Sequence, residues 1–394
     1  MAELEELVVT AGGDVVATGT QKLEAPVAGT YIGSGKAMEL SHVARAKDVD
    51  TVIFDDELSP AQGRNLEKLF ECKVLDRTSL ILDIFAQRAR TREGKMQVEL
   101  AQLRHLLPRL TGFWAHLSRQ KGGIGMRGDG ETQLEADRRK VQEKIDRIER
   151  ELSEVRRQRL TQREGRQRHQ WPLASIVGYT NAGKSTLLNA LTGAAVIAED
   201  KLFATLDPTT RRLRLPTNQN VLLTDTVGFI RKLPHGLVEA FKATLEEVVE
   251  ADLLLHVVDA SHPNAQDHIA AVNGVLEEIG AGGKSTLMVY NKTDLLPENV
   301  VDALRSRHEK AVTVSARTGR GLDELMSELG VMLKPVRIFL ELEIPHEASE
   351  VMARLHAVAQ VVERDYTGDK ARFTARIPPH LHAEFSPYIS RNLN

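Results

Sequence analysis

Residues 178 to 185 read Gly178-Tyr179-Thr180-Asn181-Ala182-Gly183-Lys184-Ser185, a G-x-x-x-x-G-K-S loop, and that spacing is suited to holding a polyphosphate. An apolar run, Leu173 to Val177, precedes it and predicts a buried strand. Ser185 to Leu191 follows and predicts a helix. A strand-loop-helix turn aims several backbone N–H groups and the positive end of a helix at one point. Lys184 would reach the β- and γ-phosphates, and the Ser185 hydroxyl would ligate Mg²⁺.

Four further motifs follow in order. Asp225-Thr226-Val227-Gly228 ends a second apolar run, Val221 to Leu223. An Asp at the end of a strand can hold Mg²⁺ through water, and a glycine lets its N–H approach a γ-phosphate with no Cβ in the way. Between the loop and this motif lie Phe203-Ala204-Thr205-Leu206-Asp207 and then Thr209 and Thr210. One threonine here should close on Mg²⁺ and the γ-phosphate; Thr205, Thr209 and Thr210 all qualify. Asn291-Lys292-Thr293-Asp294 follows the strand-like Thr286 to Tyr290. The Asp294 carboxylate can accept from guanine N1–H and the 2-amino group, and Asn291 can bond the N7/O6 edge. Adenine offers neither donor, so a site built this way rejects it by roughly 10⁴-fold or more. Ser315-Ala316-Arg317 follows the strand-like Val312 to Val314, with the Ala316 N–H directed at guanine O6. The set reads as a GTP/GDP site with Mg²⁺.

Two positions bear on hydrolysis. GTPases of the Ras type orient the attacking water with a Gln directly after the DxxG glycine. Here that residue is Phe229, which cannot do so, and the sequence names no catalytic residue in its place. Asn181 occupies the loop position at which some GTPases hold K⁺ in place of an arginine finger; the plainer alternative is an Asn that stabilises the turn.

Three glycine-rich stretches imitate nucleotide loops. Gly123 to Gly128 is a literal GxGxxG with no strand before it, Gly282 to Thr286 lacks its leading glycine because residue 278 is Glu, and Gly33 to Lys36 lacks one too. All three are set aside.

These motifs must be carried by a chain of 394 residues, long enough for two to four domains. Residues 1–90 mix strand and helix signals, with a strand over Val49 to Phe54, a helix over Leu58 to Phe70 and a strand over Lys73 to Leu75. In 91–169, Met96, Leu100, Leu103, Leu107 and Leu110 recur at helical spacing, and so do Leu134, Val141, Ile145, Ile148, Leu152 and Val155. That predicts a helical hairpin, with Pro108 ending or kinking the first helix. Residues 170–334 hold the nucleotide motifs. Residues 335–394 predict a small α+β domain: a strand over Val336 to Ile344, a helix over Ala348 to Val358, strands over Val361 to Tyr366 and Arg372 to Ile377, and a last helix. A single cysteine, Cys72, excludes a disulfide framework. There is no run of 18 apolar residues and no signal-peptide pattern, so a cytoplasmic protein without a membrane span is expected.

Net charge is −3, but 119–170 carries 15 Lys/Arg against 10 Asp/Glu, and Arg156 to Arg168 holds six Arg and one Glu. Gly122, Gly123, Gly125, Gly128 and Gly130 crowd the hairpin tip beside Lys121 and Arg127. Exposed N–H groups and cations there would grip RNA backbone; a flexible turn and a solvated helix face are the plainer readings.

The whole chain resembles the HflX family of translational GTPases, related to the Obg group. The carriers are the loop at 178, Phe-Ala-Thr-Leu-Asp-Pro-Thr-Thr-Arg at 203, Asp-Thr-Val-Gly-Phe at 225 and Gly-Gly-Ile-Gly-Met-Arg-Gly-Asp-Gly-Glu at 122. The resemblance implies a multidomain α/β protein: a P-loop GTPase domain with an N-terminal α/β domain, a helical hairpin and a small C-terminal α+β domain. It implies Thr205 as the Mg²⁺-coordinating threonine. It also implies the large ribosomal subunit and its rRNA as partner, with the glycine-rich tip and N-terminal domain as contacts and ribosome splitting or rescue as the task. A monomer in solution is expected. A GTPase regulatory module for an RNA-modifying enzyme is the alternative. An ATP-using RNA remodeller is disfavoured, because residues 1–90 hold no complete phosphate loop.

Overall fold

The computed structural model describes residues 1–112, 129–167, 171–193, 202–232, 242–305, 311–333, 338–367, 370–377 and 381–393. The glycine-rich tip at 121–128 lies outside the described residues, as do most side chains of the basic run at 156–168. The chain forms two compact units. The first is Met1–Arg156 with Glu199–Asp207 and Lys232–Ala243; the second is Arg157–Ala198, Pro208–Arg231 and Thr244–Asn394.

In the first unit, helices α1 (Ala2–Thr10) and α2 (Ser34–Ala46) precede a parallel strand pair, β1 (Thr51–Phe54) and β2 (Lys73–Asp76), joined through α3 (Pro60–Phe70). Helix α3 starts at Pro60, two residues later than the expected Leu58, because the cap lies at Ser59. Ser59 and Gln62 form a reciprocal capping box and Pro60 takes the first turn, where its missing N–H costs nothing. Leu66 and Phe70 of α3 pack with Leu58, Val74 and Ala44. Helix α4 (Arg77–Arg88) is capped by Asp76 and buries Leu80, Ile81, Leu82, Ile84 and Phe85. Helix α5 (Arg92–Leu106) is capped by Thr91, whose hydroxyl accepts from Gly94 N–H at 2.9 Å. It gives way to a 3₁₀ turn over Leu107–Gly112, which contains Pro108. The long helix α6 (Asp129–Gln167) packs on α5 through Met96, Leu100, Ile145, Ile148 and Leu152, the residues whose spacing predicted the pairing.

In the second unit, a six-stranded sheet has the order β4-β5-β3-β6-β7-β8. Its strands are β3 (Leu173–Gly178), β4 (Thr209–Arg214), β5 (Asn220–Asp225), β6 (Leu253–Asp259), β7 (Thr286–Asn291) and β8 (Ala311–Thr313). Only β4 runs antiparallel to its neighbour. Among the described residues, this unit holds helices α7 (Lys184–Thr192), most of α8 (Lys242–Glu250), α9 (Ala265–Glu278) and α10 (Glu298–Arg305), with α11 (Leu322–Met332) after β8. Central parallel strands covered on both faces are largely apolar, and Ile176, Leu255, Val257 and Val289 are fully buried.

The remaining chain makes a four-stranded antiparallel sheet of order β10-β11-β9-β12. Its strands are β9 (Ile338–Pro345), β10 (Gln360–Thr367), β11 (Lys370–Ile377) and β12 (Ile389–Asn392), with α12 (Ser349–Val358) and the short α13 (His382–Phe385). Alternation along β9 buries Leu340, Leu342 and Ile344 against α12 Leu355. The expected terminal helix is thus only one turn long, and the chain ends in a strand that pairs with β9. Strand β4 begins at Thr209, so two of the three candidate threonines, Thr209 and Thr210, lie in a strand.

Candidate nucleotide site

The phosphate loop runs from the end of β3 to the start of α7, and close packing dictates its glycines. Gly178 has φ 154°, and a Cβ there would lie 2.2 Å from the Val257 carbonyl oxygen on β6. Gly183 has φ 89°, and a Cβ would lie 2.3 Å from Asn291 Nδ2. Lys184 is buried, and its ammonium donates to the Tyr179 carbonyl oxygen at 2.8 Å. Burial pushes its pKa down to about 8, with Asp225 pulling the other way. Behind it, His256 on β6 is held neutral; burial, then the Lys184 charge, brings it down to about 4.

The Ser185 hydroxyl donates to Asp225 Oδ2 at 2.6 Å, so the two groups expected near Mg²⁺ meet. Hard oxygen donors of this kind fit Mg²⁺. Among the described residues no group of three or more His, Cys, Asp or Glu could hold a metal ion. Thr226, by contrast, is internal: its hydroxyl donates to the Ile176 carbonyl oxygen at 2.7 Å. Asn181 holds a left-handed turn at φ 59°, which Asn tolerates better than most side chains.

The segments expected to read the base meet at the ends of β7 and β8. Asp294 is exposed, and its Oδ1 accepts from the Ser315 hydroxyl at 2.7 Å. The Thr293 hydroxyl donates to the Val314 carbonyl oxygen at 2.9 Å. Lys292 pairs with Asp259 Oδ2 at 2.7 Å. Burial works against the ionised form of Asp259, and hydrogen bonds from Lys292 and Ser261 more than offset it, holding the carboxyl below its usual range. Arg317 is exposed.

Asn291 has structural partners within the protein. It is 2 % exposed, its Nδ2 donates to the Ala182 carbonyl oxygen at 2.9 Å, and its Oδ1 accepts from Ala316 N–H at 3.0 Å. The amide ties the phosphate loop to the base loop, which leaves its second Nδ2 hydrogen for a base. The Ala316 N–H, expected at guanine O6, is taken by Asn291 in this conformation.

Three sequence families match the chain. That described as "GTP-binding GTPase N-terminal" covers residues 1–86, "GTP-binding GTPase Middle Region" covers 88–166, and "50S ribosome-binding GTPase" covers 174–292. The GTPase HflX of Escherichia coli strain K12 is 49% identical over 368 residues, 93% of this chain and 86% of that protein. The GTPase HflX of Caldanaerobacter subterraneus subsp. tengcongensis is 50% identical over 383 residues, 96% of this chain and 88% of that one. The chain belongs to the HflX family of GTPases. Among solved structures, a GTP-binding protein from the archaeon Sulfolobus solfataricus in complex with GDP has a TM-score of 0.43 at 25% identity, covering 84% of this chain and 94% of that one.

As an HflX GTPase the protein is a GTP hydrolase, and its second unit contains the P-loop GTPase fold. Among the described residues no helix is long and apolar enough to cross a membrane. The DxxG segment of this HflX chain lies directly on the phosphate loop. Phe229 is fully buried, its N–H donates to the Gly178 carbonyl oxygen at 3.1 Å, and its carbonyl accepts from Thr180 N–H at 2.7 Å. A Cβ on Gly228 would lie 2.8 Å from Thr180 Cα and 3.1 Å from Lys184 Nζ.

The segment Phe203 to Asp207 belongs to the first unit. Leu202, Phe203 and Leu206 are buried, and the Phe203 ring meets Phe85 of α4 edge-on at 4.7 Å. Asp207 Oδ2 accepts from the backbone N–H groups of Arg90 at 2.9 Å and Thr91 at 3.0 Å, and Oδ1 from the Thr91 hydroxyl. The Asp207 carboxylate is thus committed to the start of α5. Ala204 and Thr205 sit half-buried between these two anchors. Thr209 and Thr210 are strand residues of β4, and Thr210 shares a hydrogen bond with Thr224 at 2.9 Å. Of the three threonines, Thr205 is the one on an irregular segment.

Proposed function

We propose that this protein is a GTP-driven factor of the large ribosomal subunit, acting in ribosome splitting or rescue. The observation that carries the reading is Phe229: the residue after the DxxG glycine is fully buried and has no polar side-chain atom to orient water. Hydrolysis by the free protein is slow, and an external surface completes the site, a completion worth about 10³- to 10⁵-fold where a partner supplies the missing group. The family description "50S ribosome-binding GTPase" over 174–292 supports the large subunit as that surface.

In this reading the N–H groups of residues 178–185 cradle the phosphates, and Lys184 reaches the β- and γ-phosphates. Ser185 and Thr205 contribute oxygens to Mg²⁺, which would neutralise phosphate charge. Asp294 reads the guanine N1 and 2-amino edge, and Gly228 N–H meets the γ-phosphate. Asn181 is the candidate ligand for K⁺. Residues 1–90 and the hairpin of 91–169, with Lys121 and Arg127 at its tip, supply the rRNA contacts; 170–334 is the GTPase domain and 335–394 a small appendage. The protein works as a monomer in the cytoplasm. Co-sedimentation with purified large subunits tests the reading. Binding should be strong with a non-hydrolysable GTP analogue and weak with GDP; binding that ignores the nucleotide, or no binding, overturns it.

A further inference from the structure

Phosphate binding by the loop uses backbone N–H groups and Lys184, so the chemistry does not require an aromatic ring at its second position. Tyr179 nevertheless makes more of the site's contacts than any phosphate ligand would need. Its carbonyl oxygen receives the Lys184 ammonium at 2.8 Å. Its backbone forms a parallel bridge with Phe229. Its hydroxyl oxygen accepts from the backbone N–H of Arg231 at 2.9 Å. The ring is 5 % exposed and lies flat on His268 of α9, with centroids 3.8 Å apart and planes 2° from parallel. His262 stands behind His268 at 4.3 Å. The stack fixes the ring, and the fixed ring places the hydroxyl.

The phosphate loop is therefore tied to the DxxG segment at two points on the C-terminal side of Gly228: Gly178 and Thr180, the neighbours of Tyr179, bond the Phe229 backbone, and the Tyr179 hydroxyl holds Arg231 N–H. With both ties made, Gly228 is packed on Thr180 and Lys184 with no space for a Cβ. A γ-phosphate binds between Lys184 and the Gly228 N–H. To admit it, Gly228 has to rise from the loop and draw the following residues with it.

We infer that Tyr179 sets the balance between diphosphate and triphosphate binding, its hydroxyl holding Arg231 N–H only while no γ-phosphate is present. A contact made in one state and lost in the other shifts the equilibrium between them, whereas a contact kept in both shifts nothing. Losing one neutral hydrogen bond changes such a ratio about fivefold.

Tyr179→Phe is the informative variant, because it keeps the ring and its stack on His268 and removes one oxygen. Dissociation constants for GDP and for a non-hydrolysable GTP analogue are measured by equilibrium titration in wild type and variant. The expected result is a shift of about fivefold in their ratio towards the triphosphate. An unchanged ratio, with both affinities equal to wild type or lowered together, makes Tyr179 a packing residue and overturns the inference, as does a shift towards GDP. The wild-type protein gives a second reading that needs no variant. The Arg231 amide should be protected from hydrogen exchange with GDP bound and should exchange at least several-fold faster with the triphosphate analogue. Equal protection in the two states also overturns the inference.

Discussion

Gly94→Ala should have opposite signs in two backgrounds. Gly94 lies in the first turn of α5, and a Cβ there would fall 2.2 Å from Asp207 Oδ1 and 3.1 Å from Thr91 Oγ1. The methyl must displace the Asp207 carboxylate, which receives the Arg90 and Thr91 N–H groups and the Thr91 hydroxyl. Hydrogen bonds to a charged acceptor are worth about 1.5–3 kcal/mol each when well buried. Arg90 and Thr91 are exposed, so solvent screening reduces the set to about 2 kcal/mol in total. Against this, alanine favours a helix over glycine by up to about 1 kcal/mol. The net effect in the wild-type background is a loss of about 1 kcal/mol. In an Asp207→Ala background the clash with the carboxylate is gone and only the 3.1 Å approach to Thr91 Oγ1 remains, so Gly94→Ala should instead stabilise, by less than about 1 kcal/mol. The coupling energy is then up to about 2 kcal/mol. Global unfolding of a two-unit chain does not isolate this, so the assay is native-state hydrogen exchange over the first turn of α5 and residues 202–207, in all four proteins of the cycle. The same sign in both backgrounds would refute the anchoring of this segment by Asp207.

Asp294→Asn should weaken GTP binding by about a hundredfold or more and admit xanthosine triphosphate, whose 2-oxo group needs a donor; unchanged base preference in a competition titration sinks the base-pocket assignment. Ser185→Ala and Thr205→Ala should cost triphosphate binding more than diphosphate binding in the presence of Mg²⁺, and equal losses at Thr205 would remove it from the γ-phosphate. Lys184 gives a pH signature. In the empty site it stays charged below about 8 and turns neutral above it. Phosphate restores the charge, so binding takes up a proton and affinity falls as pH rises through that value, by up to about tenfold per unit. Calorimetry of GDP binding in buffers of different ionisation enthalpy should show uptake near zero at pH 7 and approaching one proton above pH 8; no uptake at either pH contradicts the buried-lysine geometry.

The phosphate loop was legible in sequence because its chemistry is local. Eight consecutive residues between a strand and a helix carry the donors, and the glycines at 178 and 183 stand where backbone and Asn291 leave no room for a Cβ. Helix α3 was legible as an apolar pattern over 58–70, while its start at Pro60 is set by the local capping box of Ser59 and Gln62. What escaped depends on distant partners. Asp207 is 117 positions from Arg90, so nothing near it in sequence signals that it anchors the residues that lead into α5. Asn291 binds Ala182, 109 positions away, and its motif gives no sign that the amide holds the protein together before it holds a base. Strand β4 hides behind its arginines: Arg211, Arg212 and Arg214 line an edge where solvent replaces an apolar neighbour, so only Leu213 reports burial. Strand β12 is four residues long and almost wholly exposed, and it exists only because β9 offers it an edge.

The central claim is that a surface outside this chain completes a site from which the water-orienting Gln is missing. Steady-state GTP hydrolysis with and without purified large ribosomal subunits, at fixed Mg²⁺ and K⁺, tests it most directly. With Phe229 buried on the phosphate loop, turnover by the free protein should be slow while nucleotide binding is intact. Large subunits should raise turnover by at least about tenfold, and Phe229→Gln should not reproduce the rise without them, because one side chain does not order a segment. Equal rates in the two samples would contradict the account and favour a GTPase that serves an RNA-modifying enzyme.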